Sequence, residues 1–312
     1  MQNVIVTGGA GFIGSAIVRA LLADPEVRRV VVIDNLSTGK RANLDEVSSQ
    51  IELLTLDIRN YVAIEPVFQG IDTVFHEAAI PSVPQSIDDP EGTHEVNING
   101  TFNVFRAAQL RGVGRVVYAA SCAAYGDSDA LPLKETTLPR PKSPYAVQKL
   151  VGEYYARTFW EVYGLETVCL RYFNVFGPRQ DPASPYSGVL SLFSKALLEK
   201  RAPTIFGDGE QSRDFIYVEN IARLNLLAAR ARQAPGRIFN GGTGRRYSLN
   251  EIWSLLQSIA DLEIPAQYGP ERVGDIRHSQ ADITHTRSDL GFEPQIDFEE
   301  GLRRTLAWYG QG

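Results

Sequence analysis

The chain reads as a doubly wound α/β protein, a parallel sheet covered by helices on both faces, and three observations predict it. Short β-branched runs alternate with longer helical patterns through the first half; the runs are almost continuously apolar, as strands buried on both faces must be; and a glycine-rich turn joins the first run to the first helix. In order, the strands are "NVIVT", "VVVID", "IELLTLD", "DTVFHEA", "RVVYAAS" and "TVCLRYF", with helices from Phe12, from near Thr93 and from Pro144. Ser143 is a good N-cap for the last of these helices, and Pro144 suits its first position, where a missing N–H costs nothing. Beyond Phe176 the rhythm loosens. Loops such as "GPRQDPASPYSG" and "FGDGEQSRDF" separate shorter elements, as expected of a smaller C-terminal α/β domain that binds a substrate against the sheet. "RIFNGGTG" is a candidate strand for rejoining the main sheet, so the expected division is 1–176, rejoined by about 212–240, and 177–312.

The 312 residues, 44% of them hydrophobic, suffice for one large core or two of ordinary size. A net charge of −6 with scattered Lys and Arg argues against a nucleic-acid or anionic-membrane partner. No apolar run approaches the roughly 18 residues of a membrane helix, and "MQNVIVTGG" has neither the charged start nor the apolar stretch of a signal peptide, so a cytoplasmic location is expected. Cys122 and Cys169 fit neither a disulfide framework nor a zinc site, and four scattered histidines add no ligand cluster; no metal is expected. Both cysteines read as packing residues.

"VIVTGGAGFIG" leaves the first strand and opens the first helix, which is the context a dinucleotide site of the Rossmann type requires. Gly8, Gly11 and Gly14 recur every third residue, and Gly9, Gly11 and Gly14 satisfy G-x-G-x-x-G, with Phe12 and Ile13 beginning the helix. Glycine lets the backbone turn tightly, approach a pyrophosphate and pack helix on strand, with helix N–H groups facing the anion. Asp34 closes "VVVID" twenty residues past Gly14. A carboxylate there accepts the ribose hydroxyls and repels a 2′-phosphate, favouring NAD over NADP, although Lys40 and Arg41 lie close enough to shelter an extra phosphate. Asn35 follows directly. Asp57 and Ile58, after the third strand, are placed to flank the adenine, and Asp57 reads equally as a helix N-cap.

Tyr145 and Lys149 stand four apart, on one face of the helix from Pro144, where each alone would pass for surface decoration. With Ser121 on the preceding strand they gain a chemistry. Taking a hydride from a carbinol requires its hydroxyl to lose a proton, and a phenol of pKa about 10 needs a nearby cation to act as base near neutrality. Ser121 can stabilise the charge developing on the same oxygen. "TGGAGFIG", "HEAA", "NINGT", "SPYAVQK", "RYFNVFGPRQ", "SRDF" and "GDIRHSQAD", in this order, resemble the extended short-chain dehydrogenase/reductases over essentially the whole chain, and among them the UDP-hexose 4-epimerases.

That resemblance implies oxidation of C4 of a nucleotide-linked sugar by tightly held NAD+, rotation of the 4-keto sugar, and return of the hydride to the opposite face. It implies that Lys149 also holds the nicotinamide ribose, that Ala78 and Ala79 lie near the cofactor, that Asn99 orders the active-site helix, and that His76 packs. It further implies that Arg213 and Arg272 hold the diphosphate, a task suited to guanidinium, with Asn174 on the phosphates, Asp275 on the uridine ribose and Ser82 near the hexose. Ser279 stands at a position that gates pocket size in the family, where a small residue admits an N-acetyl group; UDP-N-acetylglucosamine/galactosamine and UDP-glucose/galactose are the expected substrates. "SCAAYG" departs from the common Ser-Ser-x-x-Val-Tyr-Gly form, and Cys122 has no base beside it that would make it a nucleophile. A 4,6-dehydratase would need a carboxylate where Cys122, Ala123 and Ala124 stand; a uronate 4-epimerase or decarboxylase stays open, as does a regulatory NAD-binding protein without turnover. The helices Thr93 to Arg111 and Pro144 to Tyr163 resemble those of a family dimer interface, so a homodimer is expected.

Overall fold

A computed structural model describes residues 1–128, 130–181, 188–271 and 277–310. In chain order it holds β1 (Asn3–Thr7), α1 (Phe12–Leu22), β2 (Arg29–Ile33), β3 (Glu52–Leu54), α2 (Tyr61–Ile64), β4 (Thr73–His76), α3 (Val83–Asp88), α4 (Pro90–His94), α5 (Thr101–Leu110), β5 (Arg115–Ser121), α6 (Pro144–Tyr163) and β6 (Glu166–Tyr172). These are followed by β7 (Asn174–Phe176), α7 (Val189–Leu198), β8 (Thr204–Phe206), β9 (Ser212–Arg213), β10 (Phe215–Tyr217), α8 (Val218–Arg230), β11 (Arg237–Gly241), β12 (Tyr247–Ser248), α9 (Leu249–Ala260), β13 (Gln267–Gly269), α10 (Thr284–Leu290) and α11 (Phe298–Tyr309). Seven strands form one parallel sheet in the order β11-β6-β5-β4-β1-β2-β3. Chain order reverses between β1 and β4, which opens a crevice at the carboxyl ends of those strands.

Successive side chains on the strands alternate between two cores. Val4, Val6, Val32, Val117 and Leu170 join Ile17 of α1 and Leu224 of α8 on one face. Ile5, Val31, Val74 and Val116 join Phe105 of α5 and Phe159 of α6 on the other. "RIFNG" rejoins the sheet as β11 beside β6. Of "IELLTLD", only Glu52–Leu54 pair with β2, because the Leu56 N–H turns back to the Leu54 carbonyl at 3.0 Å. The helix expected from Thr93 is observed as α4, a wider π turn at Glu95–Gly100, and α5. A third cluster, including Phe176, Phe193, Trp253, Phe298 and Leu302, gathers α7, α9 and α11, and Phe12 and Ile13 of α1 pack against it. Among the described residues no helix is long and apolar enough to cross a membrane.

The position of α6 follows from its own sequence. Ser143 caps it by accepting the Ala146 N–H at 3.2 Å, and Gly164 ends it in the left-handed conformation. Gly152 lets the helix lie against β5: a Cβ there would stand 2.2 Å from the Tyr118 hydroxyl oxygen. A buried ion pair completes the seat. Arg171 of β6 donates to Glu153 through Nε at 2.8 Å and Nη2 at 2.7 Å, with both side chains 2% exposed.

Candidate active site

β1 ends at Thr7 and the chain turns at Gly8 with φ of 69°, a conformation that a side chain would strain. A Cβ on Gly8 would stand 2.6 Å from the Ala78 nitrogen, and one on Gly14 only 2.2 Å from the Gly8 carbonyl oxygen. The loop, α1 and the end of β4 therefore close tightly on one another. Gly11 caps α1 without a side-chain bond and the first turn holds no acid, which leaves the helix N-terminus suited to an anion. Asp34 is 8% exposed, and its carboxylate accepts the N–H groups of Ala10 at 2.9 Å and Leu36 at 2.8 Å. Burial pushes this carboxyl up, against those two bonds. The acid is thus fixed to the glycine loop itself, and its oxygens keep lone pairs for hydroxyls. Glycine cradle and carboxylate together fit a dinucleotide.

Asn35 and Asp57, at the ends of neighbouring strands, meet directly: Asn35 Nδ2 donates to Asp57 at 2.9 Å. Two bonds from the Arg59 guanidinium, at 3.0 and 2.7 Å, hold the Asp57 carboxyl well below the usual carboxylate range. The N-cap of α2 is Asn60 rather than Asp57, and its side chain accepts the Ala63 N–H at 3.2 Å. Ile58 is buried against Gly100. Lys40, a possible shelter for an extra phosphate, pairs with Asp181 at 2.6 Å.

At the reacting end, the Tyr145 phenol faces Ser121, the last residue of β5. Burial pushes the phenol up to about 12, and Ser121 beside it pulls the other way. Lys149 is 4% exposed; its ammonium donates to the Ala119 carbonyl at 2.8 Å, two residues before Ser121. Burial pushes it down to about 8, while Glu77 and Glu153 raise it. His76 lies between Thr7 Oγ1 at 2.7 Å and Thr101 Oγ1 at 3.0 Å, and burial pushes its ring down to about 3, so it is a neutral packing residue. Ala78 donates its N–H to Thr7 Oγ1 at 3.3 Å, and Ala79 is half-buried beside it.

One expectation is corrected here. Asn99 is exposed, and the asparagine that orders α6 is Asn97, whose Nδ2 donates to Gln148 at 2.8 Å and whose Oδ1 accepts the Ile80 N–H at 2.8 Å. Two positions apart on a helix, these two asparagines of "NINGT" face opposite environments, and the packing of the π turn on α6 sets which of them meets Gln148. Sequence reasoning also gave no role to Ser86, whose hydroxyl accepts the Tyr145 N–H at 3.0 Å, or to Glu77, whose carboxylate accepts the Tyr172 hydroxyl at 2.8 Å. An acid directly behind the apolar run "TVFH" was the available signal for Glu77.

On the substrate side, Asp214 is fully buried and accepts the N–H groups of Thr243, Gly244 and Ala281 and the Thr243 hydroxyl, at 2.7 to 3.1 Å. This hub gathers its neighbours. Asn174 donates through Nδ2 to the Asp214 carbonyl at 3.0 Å, and half-buried Arg213 donates to the Ser212 carbonyl at 3.0 Å. Ser279, 6% exposed, joins the same stretch through its N–H to the Ser212 carbonyl at 3.0 Å. Ser82 is used as the cap of α3, accepting the Gln85 N–H at 3.1 Å. Burial pushes the Cys122 thiol up to about 12, which keeps it protonated. Arg272 and Asp275 lie outside the described residues.

Glycine cradle, strand-end acid and Ser-Tyr-Lys centre define a dinucleotide-binding α/β protein of the extended short-chain dehydrogenase/reductase type. The chain belongs to the NAD dependent epimerase/dehydratase family, whose sequence model matches residues 4–242. It is similar to a UDP-N-acetylglucosamine 4-epimerase from Methanobrevibacter ruminantium, solved in complex with UDP-N-acetylmuramic acid, at 42% identity and a TM-score of 0.94 over 99% of this chain and 98% of that one. A UDP-glucose 4-epimerase of Thermus thermophilus, solved in complex with NAD, is 36% identical, with a TM-score of 0.89 over 99% of each chain. A UDP-glucose 4-epimerase of Mycolicibacterium smegmatis is 37% identical over 313 residues, 99% of this chain and 98% of that protein.

Proposed function

We propose that this protein is an NAD-dependent UDP-hexose 4-epimerase, an isomerase. One observation carries the reading: the Tyr145 phenol faces Ser121 at the end of β5, with Lys149 anchored on the same strand end beside the glycine cradle. Gly8, Gly11, Phe12, Ile13 and Gly14 hold the pyrophosphate, Asp34 and Asn35 the adenosine ribose, Asp57 and Ile58 the adenine side, and Ala78 and Ala79 the nicotinamide side. Held there, NAD would supply a hydride acceptor for C4 of the sugar and a donor for its return to the other face. Ser121 hydrogen-bonds the 4-oxygen and Tyr145 accepts its proton, then gives it back. A phenol at about 12 needs positive charge to work near neutrality, and Lys149, which also holds the nicotinamide ribose, supplies it.

Residues 1–176, with 212–240, form the cofactor half, and 177–312 mainly the nucleotide-sugar half. Arg213, Arg272 and Asn174 grip the diphosphate and Asp275 the uridine ribose, while Ser82 and Ser279 border a loosely held hexose that must rotate. Arg171, the buried cation near Cys122, is committed to Glu153, which supports a neutral hexose over a uronate. The small Ser279 supports entry of an acetylated sugar. Incubated without added cofactor, the protein is expected to interconvert both UDP-glucose/galactose and the N-acetylated pair, read from the sugar C4 signals by NMR; bound NAD without turnover would support a regulatory binding protein instead. Ser279→Tyr is expected to lower the acetylated reaction at least tenfold relative to the other, roughly the discrimination available from one steric contact. Equal retention of both would remove Ser279 as the gate.

The protein is further proposed to be a cytoplasmic homodimer. Tyr154, Val162 and Tyr163 of α6 are 61%, 65% and 56% exposed, an apolar display in keeping with a second copy packed on that helix. Sedimentation equilibrium at micromolar concentration should return twice the chain mass; a monomer there would dismiss the dimer.

A further inference from the structure

Lys149 is a buried ammonium that needs a counter-charge. Its direct contacts are neutral: the Ala119 carbonyl at 2.8 Å and the Tyr118 ring, whose centroid is 5.2 Å from Nζ. Two carboxylates stand near it: Glu153, one turn along α6, and Glu77, the residue directly after β4, which the parallel pairing of His76 with Tyr118 sets beside Ala119, the residue whose carbonyl holds Nζ. Glu153 is already matched by the two bonds from Arg171, so its charge is largely cancelled. Among the described residues Glu77 accepts from a neutral donor only, the Tyr172 hydroxyl at 2.8 Å, and Tyr172 is fixed in turn by Asn225 Nδ2 at 2.7 Å from α8. We propose that Glu77 is the counter-charge of Lys149, a positioning residue clamped by Tyr172 and Asn225 that keeps the ammonium protonated while Tyr145 exchanges its proton. The proposal rests on the Tyr145 and Lys149 roles given above.

The surrounding groups define what removal of this charge does. Tyr145 and Tyr118 also face Glu77, and burial pushes both phenols up; Tyr172 stays neutral for the same reason, and His76, which faces Lys149, is neutral because burial holds its ring far down. Burial pushes Glu77 up and Lys149 down, while each charge favours the ionised form of the other, so the two titrate as a pair. The Glu77 carboxylate raises both Lys149 and Tyr145. Without it both fall, and a bell-shaped rate profile shifts toward acid on both limbs.

The test is Glu77→Gln, in which the amide oxygen can still accept from Tyr172. Rates of UDP-sugar epimerisation by the NAD-containing protein are measured across about pH 6 to 9, together with NAD content. The alkaline limb, where Lys149 loses its proton, is expected to retreat by about one unit, a tenfold loss relative to wild type on that limb. Superimposable limbs at equal NAD content would overturn the proposal. Should Glu77→Gln not fold, wild-type holoprotein labelled with 15N-lysine gives the answer: the Lys149 Nζ signal, assigned by its absence in Lys149→Arg, is expected to carry a second inflection from Glu77, and a single inflection rejects the coupling. Tyr145→Phe separates the two readings. If it is inactive while Glu77→Gln keeps the wild-type profile, the counter-charge alone fails; if it is fully active, the base assignment fails with it.

Discussion

Tyr145→Phe is expected to slow epimerisation by about 10²- to 10⁴-fold, the range over which a positioned acid–base group acts. The exchange removes one hydroxyl, the one facing Ser121, and leaves the backbone bond from Tyr145 to Ser86 in place. The glycine cradle and Asp34 lie on other elements, so NAD content, read from cofactor released on denaturation, should stay at the wild-type level. Loss of turnover with cofactor retained is the signature of a missing proton acceptor. A variant within threefold of wild type would mean that another group takes the sugar proton.

Glu153→Gln is expected to cost about 3–5 kcal/mol of stability, because it strands the Arg171 charge in a site where both side chains are 2% exposed. The guanidinium stacks 4.5 Å over the Tyr125 ring, and Tyr125 donates to Asn240 at 2.6 Å, so strain on Arg171 passes to β11 as well as to α6. Urea unfolding gives the magnitude. Combining Glu153→Gln with Arg171→Met removes the stranded charge and should restore part of the loss. A single-variant cost below about 1 kcal/mol, the ordinary value of an exposed pair, would show that water reaches Arg171 and that the pair does not seat the helix.

The parallel order of strands was readable from the chain because each run from "NVIVT" to "TVCLRYF" is apolar on both faces, a pattern that only a sheet covered on both sides tolerates. Gly8, Gly14 and Asp34 were readable because their chemistry is local: a turn, a close approach and an acid at a strand end. Tyr145 and Lys149 were placed on one helical face by their spacing, and Ser143 and Pro144 set where that helix begins. Asn35 and Asp57, by contrast, each read as a separate cofactor contact, yet they bond to each other across adjacent strand ends, a relation that spacing along the chain does not encode.

Residue type and period therefore determined the sheet, the glycine cradle and the shared helical face of Tyr145 and Lys149, since those depend on neighbours within a few positions. Only the packed structure decided between Asn97 and Asn99, showed that Lys40 is paired with Asp181, and brought Glu77, just past β4, Tyr172 of β6 and Asn225 of α8 into one chain of hydrogen bonds. The physical reason is the same in each case. A buried charge or amide is valued by the partners that replace its water, and those partners arrive from elements far away in sequence.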